Sequence, residues 1–339
     1  MNEQQLSFLC IGSSSQDVYL YNVDGLAPVC VNPDDCFYNI HLGDKIYVNK
    51  VDFMTGGGAS NASVTFSRGG QKSYFMGLIG CDPAASACLA SFAEEGVDTK
   101  YISYTKRYNT DYSTLLLAPS GERTILTYRG CGAHLLPKYF DLDKVEDHID
   151  WIYMTSLVGH FDIYKPLVEQ AHKRSIKIAF NPGGAELAHP EQLKELLPYV
   201  EILSMNKEEA QKLVSGDTVE ELLRQLRKYC PVVIITDGTN GAVATDGQQT
   251  IRAGLYHPDE KPVDRTGAGD SFCSGFTLKY ALGRGLREAI YYASANSAAV
   301  VTKIGSKPGI MRVGEDADLF DAYVRIQRRI ELAFEGHYY

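Results

Sequence analysis

The sequence predicts an α/β fold: a central, mostly parallel sheet flanked by helices, with a small β layer beside it. Three observations carry that expectation. From Trp151 onward, short apolar runs alternate with amphipathic segments, as repeated βα units do. Two earlier regions, about 18–53 and 108–130, alternate Tyr, Val, Ile and Leu with polar residues between turn signals, the pattern of half-exposed strands. Glycine-bearing turns follow several strand-like runs, at the strand ends where open α/β sheets place their ligands.

The elements follow in order. Leu6–Ile11 is a short apolar run closed by Gly12 and reads as a buried first strand. The region from Val18 to Phe53 is punctuated by Val31-Asn-Pro-Asp-Asp35 and Leu42-Gly-Asp44, and a second β region, Tyr112–Tyr128, folds about Ala118-Pro-Ser-Gly-Glu122 as a hairpin. Between them come a helix over Asn61–Arg68, a strand over Ser73–Ile79 and a helix over Ala84–Glu95 stopped by Gly96. Strands are expected at Trp151–Met154, Ile176–Phe180, Glu201–Met205 and Pro231–Thr236, and helices at Ile163–Lys173, Glu191–Leu197, Lys207–Val214 and Val219–Tyr229. Three helices close the chain: Gly269–Leu282, Leu286–Val301 and Glu315–Phe334. With no long linker or repeat, 1–339 reads as one domain carrying the two β regions as insertions.

Composition narrows the function. A net charge of −9 argues against nucleic acid or an anionic membrane as the main partner, though not against a small anion in a local pocket. No apolar run approaches the ~20 residues of a membrane span, and the opening MNEQQLSFLCIG lacks the basic and apolar regions of a signal peptide, so a cytoplasmic location is expected. Eight cysteines without a C-x-x-C pair fit neither a zinc ribbon nor a disulfide framework, and most read as small buried hydrophobes in a reducing compartment.

The chemistry concentrates in glycine-rich helix starts. Val263-Asp-Arg-Thr-Gly-Ala-Gly-Asp270 puts Gly267, Ala268 and Gly269 before an acid. Free amides at a helix start hold anions, and a carboxylate there repels one unless it acts as general base on an attacking hydroxyl. The competing explanation is an acid placed favourably on the helix dipole. Met54–Ser63, with Gly56, Gly57 and Gly58 before Asn61, also opens a helix, and Asn61 offers the donor and acceptor that a sugar hydroxyl needs. Asn206 and Glu209 have capping-box spacing, or alternatively hold water around magnesium. Ile235-Thr-Asp-Gly-Thr-Asn-Gly241 reads as a phosphate-lining turn or as a plain hairpin turn into Ala242–Thr245. Asp17, after the first strand, could take two hydrogen bonds from a polyol or be an ordinary loop acid.

Together these residues resemble the PfkB, or ribokinase-like, family of carbohydrate and nucleoside kinases. The D-x-T-G-A-G-D signature is matched by Asp264, Thr266, Gly267, Ala268, Gly269 and Asp270, and the amino-terminal glycine signature by Gly56–Asn61. N-x-x-E is Asn206 and Glu209, T-x-G-x-x-G is Thr236, Gly238 and Gly241, and G-x-x-G-x-D is Gly77 to Asp82. The motifs keep register from about Leu6 to Lys307. The resemblance implies a small β-sheet lid and transfer of the γ-phosphate of ATP to a hydroxyl. It implies Asp270 as base, with the backbone of Gly267–Gly269 as anion hole. Asp17, Gly57 and Asn61 would grip the acceptor. Thr236, Gly238, Gly241 and Asn296 would lie along the nucleotide, and Asn206 and Glu209 would organise Mg²⁺. Asp264, together with carbonyls around Val300–Gly305, falls where some relatives bind a monovalent cation, so K⁺ is a further candidate; Gly309 stands where a family residue gives that cation a side-chain oxygen, which leaves a K⁺ requirement open.

The exclusions agree. The chain contains no Gly-Lys dipeptide, hence no P-loop, and no protein-kinase H-R-D or D-F-G set. Arg129 could reach the acceptor with its planar fork, or be a solvated strand residue. A small sugar of ribose, fructose or keto-sugar type is the expected substrate. A nucleoside is the alternative, since Tyr19, Phe37, Tyr38, Tyr112 and Tyr128 could stack on a base. A non-catalytic sugar or nucleotide binder would not need Asp270. The lid sheet could also pair two copies of the chain.

Overall fold

The computed structural model describes residues 5–23, 28–32, 35–118, 123–255, 262–314, 320–321 and 323–324. Its strands are β1 (Ser7–Ile11), β2 (Ser15–Val23), β3 (Val29–Asn32), β4 (Asp35–Phe37), β5 (Val48–Gly56), β6 (Lys72–Ile79), β7 (Asp98–Tyr104), β8 (Asp111–Leu117), β9 (Arg123–Tyr128), β10 (Trp151–Met154), β11 (Lys177–Phe180), β12 (Ile202–Asn206), β13 (Val232–Thr236), β14 (Ala242–Thr245) and β15 (Thr250–Ala253). The α-helices are α1 (Gly58–Arg68), α2 (Pro83–Glu94), α3 (Phe161–Lys173), α4 (Gly184–Leu187), α5 (Pro190–Leu196), α6 (Lys207–Leu213), α7 (Val219–Leu226), α8 (Ala268–Ala281) and α9 (Gly285–Val301).

Nine strands form the main sheet in the order β15-β14-β13-β12-β11-β10-β1-β6-β7. Ladders from β7 to β13 are parallel, and only the β13–β14 and β14–β15 pairs are antiparallel. β1, buried at every residue, sits where the strand order reverses, with β6 on one side and β10 on the other. That is why its sequence is continuously apolar. Helices cover both faces. Phe66, Phe272, Phe276 and Ile290 pack on one side, and Leu167, Leu193, Leu222 and Val233 on the other. Helix starts follow local chemistry: Asp82 caps α2 ahead of Pro83, and Thr218 with Glu221 forms a capping box on α7.

The expected β layer is a second sheet, β5-β2-β8-β9, in which β2 runs antiparallel to β5 and parallel to β8. β8 and β9 make the anticipated hairpin, though most of its turn lies outside the described residues. Among the described residues β3 and β4 pair only with each other, so these two strands do not join the sheet. There Cys30 and Cys36 are cross-strand partners joined as a disulfide, which departs from the expectation of cysteines in a reducing compartment. The two flank a short turn, a pairing that a search for C-x-x-C spacing does not find. Five of the six free cysteines are buried as anticipated, and Cys81 is exposed. β7 and β15 were not anticipated, and the expected helix 315–334 falls almost wholly outside the described residues. No helix among the described residues is long and apolar enough to cross a membrane.

Candidate active site

Two helices begin beside the carboxyl end of β1 with the same device. α1 is capped by Gly57 (φ 97°) and α8 by Gly267 (φ 79°), a left-handed conformation that side chains resist. Space makes the same demand, since a Cβ on Gly57 would stand 2.4 Å from the Ser13 carbonyl and one on Gly267 2.5 Å from Ser306 Cβ. The two starts meet: Asn61 Nδ2 donates to Asp270 Oδ2 at 2.8 Å. Desolvation raises the Asp270 pKa, and the Asn61 hydrogen bond only partly offsets it. In the first turn of α8, the amide of Ala268 turns back to Arg265 O at 3.3 Å, while Ser271 N makes the first full-turn bond, to Gly267 O. The amides of Gly269 and Asp270 lie between, where a helix has no carbonyl one turn back to offer. A half-buried carboxylate thus stands beside an anion-attracting helix mouth.

Asp17, on β2, is buried and accepts from Ser15 Oγ at 3.0 Å. Desolvation raises its pKa, while Ser15 and the Lys307 ammonium pull it back. Arg129 is more than half exposed, with Nη1 3.9 Å from Asp111 Oδ2. Asp264 is fully buried. Its Oδ1 accepts from Thr266 N (2.9 Å) and Oγ1 (2.7 Å), its Oδ2 accepts from Gly305 N (3.0 Å), and Arg123 Nε stands 4.0 Å away. These partners make Asp264 a brace between the α8 loop and the segment after α9.

Further along the carboxyl edge, Asn206 caps α6. Its Oδ1 accepts from Glu209 N at 2.8 Å, and Glu209 Oε2 accepts from Asn206 N at 2.9 Å. Burial raises the Glu209 pKa. Thr236 ends β13, and Gly238 and Gly241 flank the turn of the β13–β14 hairpin, closed by Asp237 N to Gly241 O at 2.8 Å. Asn296 differs from the expectation. It is completely buried on α9, donating to Ser271 O at 2.8 Å and accepting from Met311 N at 2.9 Å. Both ends of its amide brace backbone, so it supports α8 from behind.

Ser306 and Lys307 were missed from sequence. Ser306 Oγ donates to Asn61 Oδ1 at 2.8 Å, extending the Asp270–Asn61 pair, and Lys307 is buried beside it. The available signal was a lone lysine in the otherwise uncharged run Ile304-Gly-Ser-Lys-Pro-Gly-Ile310. Among the described residues no three His, Cys, Asp or Glu side chains gather as a metal cage.

A helix start with a carboxylate beside it thus lies at the reversal point of a largely parallel sheet, where open α/β sheets bind their ligands. The pfkB family carbohydrate kinase model matches residues 29–311, and the chain belongs to that family. It is 27% identical over 275 residues to the ribokinase of Haemophilus influenzae, covering 79% of this chain and 88% of that protein. The fold superposes on Arabidopsis thaliana ribokinase complexed with ribose and ATP (TM-score 0.75, 18% identity, 94% of this chain and 99% of the other). It also superposes on the adenosine kinase of Sinorhizobium meliloti (0.75, 21%, 95% and 100%). The protein is therefore a sugar or nucleoside kinase.

Proposed function

We propose that the protein transfers the γ-phosphate of ATP to a hydroxyl of a small sugar of ribose, fructose or keto-sugar type. The observation that carries this is the Asp270–Asn61 pair at the mouth of α8, 2.8 Å apart, with unpartnered helix-start amides beside it. Asp270 takes the proton of the acceptor hydroxyl as that oxygen attacks phosphorus. The amides of the Gly267–Gly269 turn and Asp270 face the charge on the transferring group. Asp17, Gly57 and Asn61 hold the other acceptor hydroxyls, with Arg129 at the rim. The second sheet, formed by β2 and β5 of the 18–53 region and β8 and β9 of the 108–130 region, serves as the lid and excludes water.

Thr236, Gly238 and Gly241 line the nucleotide. Magnesium fits Asn206 and Glu209 through water, because the cap engages one carboxylate oxygen of Glu209 and the other remains for a hydration shell. Bound there, the ion would neutralise phosphate charge. Potassium does not fit Asp264, whose two oxygens already take three hydrogen bonds and face Arg123.

The aromatics favour a sugar over a nucleoside. Tyr19 is fully buried, and Phe37 belongs to the separate β3–β4 pair. Tyr112 and Tyr128 are cross-strand partners on the face of the second sheet opposite Asp17. That outer face also exposes Val51, Phe53 and Leu126, a surface suited to a second copy of the chain.

The test is ADP release with ATP and Mg²⁺ over D-ribose, D-fructose, a 2-keto-3-deoxy sugar acid and adenosine. One of the sugars is expected to turn over with the highest kcat/KM. Preference for adenosine, or no turnover with any of the four, would contradict the proposal.

A further inference from the structure

Asp111 is a buried carboxylate that the mechanism above does not use. It opens β8, and only 3% of its surface is exposed. Its Oδ1 accepts from Gly132 N at 2.9 Å, but its Oδ2 is buried without a hydrogen-bond partner. The cation beside that oxygen is Arg129, with Nη1 3.9 Å away.

One oxygen is enough to brace the turn after β9, so bracing explains half of the group. A buried acceptor left unfilled is costly, yet the surrounding chain holds this one firmly in place. The preceding residue, Thr110, donates through its amide to Asp82 Oδ2 at 2.6 Å, and its Oγ1 accepts from Gly80 N at 2.9 Å. Gly132 leaves the carboxylate its room, because a Cβ there would stand 2.3 Å from Oδ2. Burial raises the Asp111 pKa, while the Gly132 amide, Arg129 and the Gly130 amide favour the ionised form.

The sheet register tells what can fill the vacant oxygen. Asp111 is the ladder partner of Ser15 on β2, whose Oγ donates to Asp17. Ladder partners and alternate residues share a sheet face, so Asp111 lies on the face of Asp17, one strand over, in the row of Ser15 and Gly56. Arg129 comes to the same face, since it follows Tyr128, the partner of Tyr112. That face looks onto the loop before α8, because Arg123, the partner of Leu117 on it, reaches to 4.0 Å from Asp264.

We infer that Asp111 is a specificity-determining residue that selects an uncharged polyol over a sugar acid. Its free Oδ2 takes a hydrogen bond from an acceptor hydroxyl, and its charge engages Arg129, so that the guanidinium is not left for an acceptor carboxylate. A sugar acid would also meet two like charges on this face, Asp17 and Asp111. The inference rests on the reading of Asp17 and Arg129 as acceptor-binding residues, and it narrows the proposed substrate to neutral sugars.

The test is the ratio of two KM values, for 2-keto-3-deoxy-D-gluconate and for the better of D-ribose and D-fructose. It is measured in the unaltered protein, in Asp111→Asn and in Asp111→Asn/Arg129→Gln. Asparagine keeps the Gly132 bond through its carbonyl oxygen and loses the charge. In the unaltered protein the sugar acid has the higher KM. In Asp111→Asn the KM of the neutral sugar rises about tenfold, as loss of a hydrogen bond to a charged group does. The KM of the sugar acid falls about fivefold, because Arg129 is released. The double variant loses that gain for the acid. Both values come from one protein, so reduced stability does not move the ratio, and a purely structural role would raise both alike. An unchanged ratio in Asp111→Asn, or an unaltered enzyme that favours the sugar acid, overturns the inference and leaves a sugar kinase standing. Preference for adenosine, or no turnover with any sugar, brings down the proposed function and this inference with it.

Discussion

Glu209 and Asp270 occupy the same place in two helices, the third residue after the cap, and do opposite things there. Glu209 turns back to the amide of its cap residue, Asn206, and completes a capping box. Asp270 instead accepts from Asn61 on another helix, and its cap, Gly267, has no side-chain oxygen to offer the first turn. Burial raises the pKa of both acids. An acid in the first turn is therefore not diagnostic in itself. What distinguishes the two is whether its own helix uses the carboxylate.

The comparison breaks most sharply by neutralising each acid. Asp270→Asn is expected to lower kcat by about 10³–10⁴-fold with ATP affinity kept, whereas Glu209→Gln lowers it far less and raises the Mg²⁺ concentration needed for half-maximal rate. Equal losses in steady-state assays would erase the distinction. Thermal melts at pH 7 should separate the same pair. A folded-state pKa raised above the unfolded value means that stability falls as pH rises between the two, so Asp270→Asn, which removes a desolvated charge, should raise Tm. A lower Tm would show that Asp270 is held ionised by favourable contacts.

Removing the cross-helix partner sharpens the contrast. Asn61→Ala should lower kcat by about tenfold and move the acid limb of the kcat–pH profile upward, since the lost hydrogen bond favoured the carboxylate. An unmoved limb would mean that the group titrating there is not Asp270. The smallest effect belongs to the cap: Asn206→Ala should cost about 1 kcal/mol of stability by denaturant melts.

The sequence made much of the architecture legible, because β1, β10 and β13 are short apolar runs and α1, α2 and α8 start at recognisable glycines or caps. The motif residues were legible for the same reason, as backbone turns with few residue solutions. Ser306 and Lys307 were not, because their partners Asn61, Thr55 and Ser91 lie more than 200 residues away in the chain. The 18–53 region was half legible: alternation identified strands, but nothing local said that β3 and β4 would leave the second sheet. Asn296 shows the converse limit, since a family resemblance does not reveal that both ends of an amide are already bonded.

The central claim, that α8 receives the transferring phosphate while Asp270 faces the acceptor, is tested most directly by a crystal structure with a non-hydrolysable ATP analogue, Mg²⁺ and the best sugar. The account predicts the terminal phosphate against the amides of Gly269 and Asp270, with a sugar hydroxyl within hydrogen-bond reach of the Asp270 carboxylate. A terminal phosphate lying away from the start of α8, or a sugar hydroxyl directed at a different base, would contradict it.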